Sequence, residues 1–347
     1  MKYSKVQITS LGYELAPIVV TSTELENRLE PLYKALRVAP GQLQALTGIR
    51  ERRWWEPGYP LSRGAAAAGR KALDAAGIKP SDLGALVYTG VCREQFEPAT
   101  ACRVAANLGV SGDAAIFDIS NACLGVLNGI LEVANRIELG QIRAGLVVSC
   151  ETAREINDIM IERMLTDKNM AQFASSLATL TGGSGAVAVL LTDGSFSSTP
   201  GHRLIGGKTK AAPEHHGLCL WGVIPDGSGK YVQQMSTDAV NVMNHGVELG
   251  RRTWAAFLPE MGWQATDVDR VVCHQVGSAH QSAILKTLGI PADKDFTTFE
   301  YLGNMGTVSL PLTLAIAAER EEILPGEKVG LLGIGSGLNC LMLGVEW

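Results

Sequence analysis

The sequence predicts an α/β fold in which one structural unit occurs twice. In the first half of the chain, the helix 64–76 is followed by the turn Gly-Ile-Lys-Pro-Ser-Asp and the strand 85–89. In the second half, a helix from about 244 to 261, the turn Gly-Trp-Gln-Ala-Thr-Asp and the strand 270–274 repeat that order. Several helices are apolar on every face, which is typical of mainly parallel sheets covered by helices on both sides.

The correspondence continues beyond these strands. A predicted helix from residue 99 ends in Leu-Gly-Val, and one from residue 278 ends in Leu-Gly-Ile. The segment 117–123 then opens one apolar helix, and the segment 299–305 opens another. Each half closes with two predicted strands, at 145–149 and 185–191 in the first half and at 329–333 and 339–345 in the second.

This duplication sets the expected domain organisation. We predict an N-terminal half at 1–195 and a C-terminal half at 196–347. Residues 154–183, rich in Met and polar side chains, interrupt the first half and read as an inserted cap. We expect the halves to pack back to back, with two apolar helices between the sheets and ligands entering where loops of both halves meet.

Composition excludes several classes of protein. With 347 residues, 46% of them hydrophobic and 19% charged, the chain can bury a large core. A net charge of −5 without any Lys/Arg-rich run makes nucleic acid an unexpected partner. Seven cysteines without paired spacing predict reduced thiols in the cytoplasm and neither zinc nor disulfides. We find no apolar run long enough to span a bilayer.

Cys123 is the candidate nucleophile. The stretch 116–125 reads as a buried strand, a sharp turn and a helix whose first turn carries the cysteine. Unpaired backbone N–H groups and the positive end of the helix dipole there favour a thiolate near neutral pH. The alternative is an inert core cysteine, which is the usual role of a free thiol.

Two residues from the second half are expected to join Cys123. His274 ends the strand that repeats 85–89, and Asn304 occupies the position equivalent to Cys123. A cysteine nucleophile needs a base or a charged partner, and a thioester substrate needs a donor at its carbonyl oxygen. A histidine at a strand end is more often structural, but the duplication directs these three residues to one place.

The motifs around these residues resemble those of the thiolase superfamily, in the branch of β-ketoacyl-acyl-carrier-protein synthase III. The matching motifs, which are spread over nearly the whole chain, are Thr47-Gly48-Ile49, Asn121-Ala122-Cys123-Leu124-Gly125, His274-Gln275, Gly303-Asn304-Met305-Gly306-Thr307 and Gly333-Ile334-Gly335-Ser336-Gly337-Leu338. The resemblance implies the five-layered αβαβα thiolase fold, a homodimer and acyl-CoA as substrate, with no cofactor and no metal.

The resemblance also implies roles for individual residues. Cys123 takes an acyl group from a thioester, while His274 and Asn304 polarise a second thioester and stabilise its enolate. The backbone N–H groups of Cys123 and Gly337 form an oxyanion hole, in which each donor lowers the barrier by roughly 3 kcal/mol.

Glu97 separates two possible reactions. A malonyl partner forms its enolate by losing carbon dioxide, whereas a simple acyl thioester needs a base to remove an α-proton. Synthase III enzymes carry a phenylalanine at the position of Glu97, and it reaches into the pocket of the partner subunit. An acid there resembles the branch that joins two fatty acyl-CoA molecules head to head in olefin biosynthesis, with this glutamate as base. The alternative is an acid favoured simply by a helix start.

Contacts with the rest of the substrate are less well defined by the sequence. The Trp and Arg that hold the CoA adenine in synthase III enzymes would fall at Gln42 and Leu46. Trp54 and Trp55 directly follow arginines, so stacking on the rings and charge from the arginines could hold a phosphorylated, base-bearing ligand. The alternative is that the two aromatics fold onto the body of the protein. Arg251 and Arg252 would suit an acidic acyl-carrier protein, although such pairs are usually solvated.

We therefore predict a condensing enzyme that joins two long-chain acyl-CoAs without decarboxylation. The alternatives are a decarboxylating synthase III that uses malonyl-acyl-carrier protein, a hydroxymethylglutaryl-CoA synthase-like enzyme and a non-catalytic acyl-binding scaffold. The remaining histidines are interpreted as surface or core residues: His202, His215, His216, His245 and His280.

Overall fold

The computed structural model describes residues 1–110, 112–196, 201–226 and 228–347. Its strands are β1 Gln7–Leu15, β2 Ile18–Thr21, β3 Glu51–Trp54, β4 Ala85–Tyr88, β5 Ala115–Asp118, β6 Ala144–Glu151, β7 Gly185–Thr192, β8 His202–Ala211, β9 Cys219–Pro225, β10 Tyr231–Thr237, β11 Arg270–Cys273, β12 Lys328–Gly335 and β13 Asn339–Glu346. Its α-helices are α1 Ser22–Arg28, α2 Glu30–Leu36, α3 Gln42–Thr47, α4 Leu61–Ala76, α5 Thr100–Leu108, α6 Gly125–Glu138, α7 Arg154–Asp167, α8 Met170–Ser176, α9 Ala239–Met261, α10 Ser278–Leu288, α11 Phe299–Leu302 and α12 Ser309–Glu319.

The main sheet contains the predicted duplication. Its order is β11-β12-β13-β8-β1-β7-β6-β4-β5, and β1 and β8 pair only over Gln7 with Arg203 and Ile8 with His202. On either side of that short junction, β1-β7-β6-β4 and β8-β13-β12-β11 follow the same order. Where the first half adds β5, the second half has a single bridge between Val271 and Asp295.

The prediction of mainly parallel sheets was wrong. β4 runs parallel to β5 and β6, and β11 runs parallel to β12. The other pairings in the main sheet are antiparallel. Only residues 336–338 connect β12 to β13, and a parallel connection needs a dozen or more residues. Strands buried on both faces are apolar in either arrangement, so the apolar pattern alone did not separate the two.

The five predicted layers are present. α6 and α12 lie between the two halves of the sheet, and their apolar side chains form one core with residues such as Val147 of the first half and Leu331 of the second. α4 and α5 pack on the outer face of the first half, and α9 and α10 pack on the outer face of the second. Buried apolar surface on both faces of each half is the main contribution to stability.

The predicted cap segment 154–183 contains α7 and α8. Both helices contact β10, and a hydrogen bond joins Arg163 of α7 to Gln234 of β10. β9 and β10 form a separate two-stranded hairpin. Among the described residues, no helix is long and apolar enough to cross a membrane.

Candidate active site

Cys123, His274 and Asn304 line one cavity of about 520 Å³. They come from three separate parts of the chain. Cys123 lies between β5 and α6, His274 directly follows β11, and Asn304 lies between α11 and α12. Side chains of the β9–β10 hairpin and residues of the cap segment complete the cavity wall, which is largely apolar. The structure therefore brings the three predicted residues together.

A strained turn presents Cys123 to this cavity. Ala122 has a φ of 44°, in the left-handed region that L-residues seldom occupy, and such outliers concentrate at functional sites. The next residues are held by a hydrogen bond of 2.9 Å from the Leu124 N–H to the Asn121 carbonyl. α6 begins at Gly125, so Cys123 precedes the helix. The sequence had predicted Cys123 within the first turn of the helix. Gly125 is required because a Cβ there would lie 2.2 Å from the Thr89 carbonyl oxygen.

Two backbone N–H groups approach the Cys123 sulfur, its own and that of Ser336. Hydrogen bonds from the backbone N–H groups of Cys123 and Ser336 favour the Cys123 thiolate. The sequence predicted Gly337 for this position, and Gly337 lies one residue further into the connection between β12 and β13. A Cβ on Gly335 would lie 3.3 Å from the Cys123 nitrogen, so glycine allows the close approach.

Burial dominates the acidity of the Cys123 thiol. It raises the pKa of Cys123 to about 12, and the nearby Cys219 and Glu151 add to the rise. The two backbone N–H groups do not compensate for this desolvation. The raised pKa does not match the sequence-based expectation of a thiolate near neutral pH, so a reaction at this sulfur would need removal of the thiol proton.

His274 is held in place by its neighbours in the chain and is 6% exposed. Its backbone N–H donates to the Leu332 carbonyl at 3.0 Å. The side-chain amide of Gln275 donates to the Cys273 carbonyl at 2.7 Å and accepts from the Thr298 N–H at 3.0 Å. Burial, with a smaller contribution from His280, lowers the pKa of His274 to about 3, so the imidazole is neutral at pH 7.

Asn304 is oriented by its carbonyl oxygen. Oδ1 accepts a hydrogen bond from the Gly306 N–H at 3.0 Å. The Asn304 backbone donates to the Thr181 carbonyl and accepts from the Gly183 N–H, each at 2.9 Å. Because Oδ1 is occupied by the protein, the amide NH₂ group is the part of the side chain that can donate to a substrate oxygen.

Glu151 is a cavity residue that the sequence analysis missed. It ends β6, is 3% exposed and accepts hydrogen bonds from the N–H groups of Val91 at 2.7 Å and Cys92 at 3.0 Å. Burial raises the pKa of Glu151 to about 7. An acid at the end of an otherwise apolar strand was the available signal. Its two hydrogen bonds fix the start of the loop that carries Glu97.

Glu97 does not line the cavity of its own chain. Its side chain is exposed, as is that of the preceding Phe96, which is 95% exposed. Glu94 in the same loop is held by the Ser62 N–H at 2.8 Å and by Arg103 at 2.7 Å. Within one chain, the structure brings neither acid to Cys123.

Trp54 and Trp55 are buried and do not line the cavity, which favours the alternative interpretation of two aromatics folded onto the body. Nε1 of Trp54 donates to the Gly182 carbonyl at 3.1 Å, and Nε1 of Trp55 donates to the Glu151 carbonyl at 3.0 Å. The Trp55 ring also stacks on Tyr59, with ring centroids 4.3 Å apart. Both rings support the cavity wall from behind, as amphipathic aromatics do when their polar atom finds a backbone partner.

Arg251 and Arg252 are exposed on α9 and do not line the cavity. Arg251 makes a bidentate ion pair with Glu248 on the same helix, at 2.7 and 2.8 Å. Their docking of a carrier protein stays a prediction.

His280 of α10, interpreted from the sequence as a surface or core residue, lines the cavity together with His274. His215 stacks on His245 and His202 stacks on Trp347, as expected for packing roles. In the described part of the chain, no three His, Cys, Asp or Glu side chains are grouped as metal ligands.

Comparison with known proteins identifies the family. Residues 258–347 match the family model of the 3-oxoacyl-[acyl-carrier-protein] synthase III C terminal. The chain is 59% identical over 349 aligned residues to an acyl-CoA:acyl-CoA alkyltransferase of Shewanella oneidensis, covering 100% of both chains. This chain belongs to the acyl-CoA:acyl-CoA alkyltransferase family.

Two further similarities extend over the full length of this alkyltransferase-family chain. The acyl-CoA:acyl-CoA alkyltransferase of Xanthomonas campestris is 36% identical and covers 100% of both chains. A crystal structure of OleA from Xanthomonas campestris, a cysteine-to-serine variant with bound lauric acid and lauroyl-CoA, has a TM-score of 0.94 and 36% identity, and the match covers 99% of this chain and 100% of that one. The family, the condensing-enzyme class and the thiolase fold inferred from the sequence motifs are confirmed.

Proposed function

We propose that the protein joins two long-chain acyl-CoA molecules head to head by a non-decarboxylative Claisen condensation, giving a 2-alkyl-3-ketoacyl product. The observation that carries this proposal is the shared cavity of Cys123, His274 and Asn304 in a chain 59% identical, end to end, to an acyl-CoA:acyl-CoA alkyltransferase. The lauroyl-CoA bound to the Xanthomonas relative supports the class of substrate.

In the first step, Sγ of Cys123 attacks the carbonyl carbon of one acyl-CoA. The new C–S bond forms as the bond to the CoA sulfur breaks, and the Cys123 proton ends on the departing CoA thiol. The backbone N–H groups of Cys123 and Ser336 stabilise the oxyanion between these events, and a donor in such a position is worth roughly 3 kcal/mol. The product of this step is an acylated Cys123.

In the second step, a base removes an α-proton from another acyl-CoA. His274 and the Asn304 amide donate to its thioester oxygen and stabilise the enolate. The enolate carbon attacks the Cys123-bound carbonyl, a C–C bond forms, and Sγ leaves as a thiol after regaining a proton. Neutral His274 suits this role, because an uncharged imidazole still has one N–H group that can donate to the thioester oxygen.

Glu97 acts as the base in the cavity of a second subunit. The exposed Phe96 and Glu97 project from a loop whose start is fixed by Glu151, and this supports a segment that reaches a partner. A homodimer, cytoplasmic location and docking of an acyl-carrier protein at Arg251 and Arg252 belong to the same proposal. Seven free thiols are compatible with a reducing compartment. No cofactor or metal takes part in these steps.

A decarboxylating synthase III remains the second candidate because residues 258–347 match that family model. The two reactions differ in what they consume. Purified protein is incubated with myristoyl-CoA alone and, separately, with malonyl-acyl-carrier protein added, while free CoA and product mass are followed. We expect one CoA released per β-keto product that contains both chains, from myristoyl-CoA alone. Condensation only with the malonyl donor would refute the proposal.

A further inference from the structure

A second, small cavity is bounded in part by His274 and His280. It has a volume of about 20 Å³ and is bounded by His274, His280 and a set of apolar and thiol side chains. Those include Cys273, Cys340, Ile284 and Met342. A single water molecule needs about 10–15 Å³ of such space, so this cavity fits one water.

Two ring nitrogens of the residues that line this cavity have unused hydrogen-bonding capacity. Nδ1 of His274 and Nδ1 of His280 are both buried, and neither has a hydrogen-bond partner among the described residues. Burial lowers the pKa of His274 to about 3 and that of His280 to about 4, so both rings are neutral. A neutral imidazole has one donor and one acceptor nitrogen, and buried polar atoms of this kind are nearly always satisfied by protein or by ordered water.

We infer that one ordered water molecule bridges Nδ1 of His274 and Nδ1 of His280, and that His280 is a positioning residue for His274. This inference rests on the proposed function, in which His274 donates a hydrogen bond to the substrate. Two polar partners are the minimum that holds a buried water, and the thiols of Cys273 and Cys340 add weak ones.

The bridge determines which tautomer His274 adopts. When the water donates an O–H to Nδ1, the ring proton of His274 resides on Nε2. His280 then completes the bridge, either by accepting the second O–H or by donating its own N–H to the water. His274 is thereby a hydrogen-bond donor to the thioester oxygen and does not accept the Cys123 proton at Nε2. Without the bridge, nothing at Nδ1 favours this tautomer.

The direct test uses wild-type protein. A high-resolution crystal structure should show a water within hydrogen-bond distance of both Nδ1 atoms, and ¹⁵N NMR of histidine-labelled protein should show His274 protonated on Nε2. A cavity without that water, or His274 protonated on Nδ1, would overturn the inference. Both readouts are independent of turnover, whereas failure to form product from myristoyl-CoA would refute the proposed function instead.

Variants of His280 provide a kinetic test. His280→Leu removes the polar atom and should lower kcat by about 10- to 100-fold with little change in KM, as loss of a supporting partner does. His280→Asn places an amide where Nδ1 lies and should restore most of kcat and the Nε2 tautomer. His280→Gln, with its amide near the position of Nε2, should not. The exposed His216→Leu is the matched control. Equal rates for the Leu and Asn variants would contradict the positioning role.

Discussion

The Glu151 carboxylate accepts a hydrogen bond from the Val91 backbone N–H at 2.7 Å. This bond connects the last residue of β6 to the start of the loop that carries Glu97. Glu151 also lines the cavity of Cys123 and adds to the rise in the pKa of that thiol. One buried carboxylate therefore links the nucleophile to the loop that is proposed to supply the base.

Glu151 should make stability depend on pH. Burial raises the pKa of Glu151 from 4.5 to about 7. The stability that the protonated Glu151 contributes to the folded protein is therefore fully present below pH 4.5 and is lost as pH rises through 7. Between pH 5 and pH 7.5 the free energy of unfolding should fall by about 2 kcal/mol through this group. Asp295, whose pKa burial raises to about 6, acts in the same direction, and His274 and His280 act in the opposite one.

Comparison of wild type with Glu151→Gln isolates this contribution. Urea unfolding should be measured at pH 5 and at pH 7.5. The free energy of unfolding of the variant, relative to that of wild type, should be about 2 kcal/mol higher at pH 7.5 than at pH 5. A difference between the two proteins that stays constant with pH would show that Glu151 does not titrate in this window.

Gly335→Ala should slow acylation of Cys123. The added Cβ would lie 3.3 Å from the Cys123 nitrogen and 3.5 Å from its Cβ, which pushes the Ser336 N–H away from the sulfur. Loss of one oxyanion donor costs about 100- to 1000-fold in rate, and a partial displacement should cost at least about tenfold. CoA release in the first turnover measures the step. Gly217→Ala, where a Cβ meets nothing within 4 Å, is the control. Equal acylation rates for the two variants would contradict a role for the Ser336 N–H in this step.

Trp55→Phe should reduce stability without weakening substrate binding. The change removes the hydrogen bond from Nε1 to the Glu151 carbonyl at 3.0 Å, and a typical intramolecular hydrogen bond is worth about 0.5–1.5 kcal/mol. Thermal or urea unfolding measures the loss, and steady-state kinetics with myristoyl-CoA should give an unchanged KM. An increased KM with unchanged stability would instead indicate that Trp55 contacts the ligand, as the sequence suggested.

Iodoacetamide at pH 7.5 should modify Cys102 before Cys123. Alkylation requires the thiolate, Cys102 is exposed, and burial raises the pKa of Cys123 to about 12. Peptide mapping by mass spectrometry gives the order of modification. Myristoyl-CoA should instead acylate Cys123 alone, because binding brings the electrophile to it. Preferential alkylation of Cys123 at pH 7.5 would indicate a stabilised thiolate that burial alone does not explain.

The duplication and the three cavity residues could be predicted because they depend on local patterns. The repeat of helix, turn and strand appears in the chain itself, and it aligned Cys123 with Asn304. The apolar pattern could not predict the antiparallel strands, because strands covered on both faces lack the alternation that reveals direction, although the short connection between β12 and β13 did indicate an antiparallel pair. His280 and the N–H of Ser336 became visible only when distant segments were brought together, whereas Glu151 had one signal in the sequence, an acid at the end of an apolar strand. The sequence left two interpretations of Trp54 and Trp55 open, because an aromatic ring beside arginines is equally suitable for a ligand and for packing behind a cavity wall.

The most direct test of the proposed reaction is a single turnover of Glu97→Gln with myristoyl-CoA, followed by intact-protein and product mass spectrometry. Removal of the base should leave acylation of Cys123 intact and prevent α-proton abstraction. We predict that the variant accumulates myristoyl-Cys123 and forms no condensed product, whereas wild type and the exposed Glu56→Gln control form the β-keto product carrying both chains. Condensed product from Glu97→Gln at the wild-type rate would contradict the account.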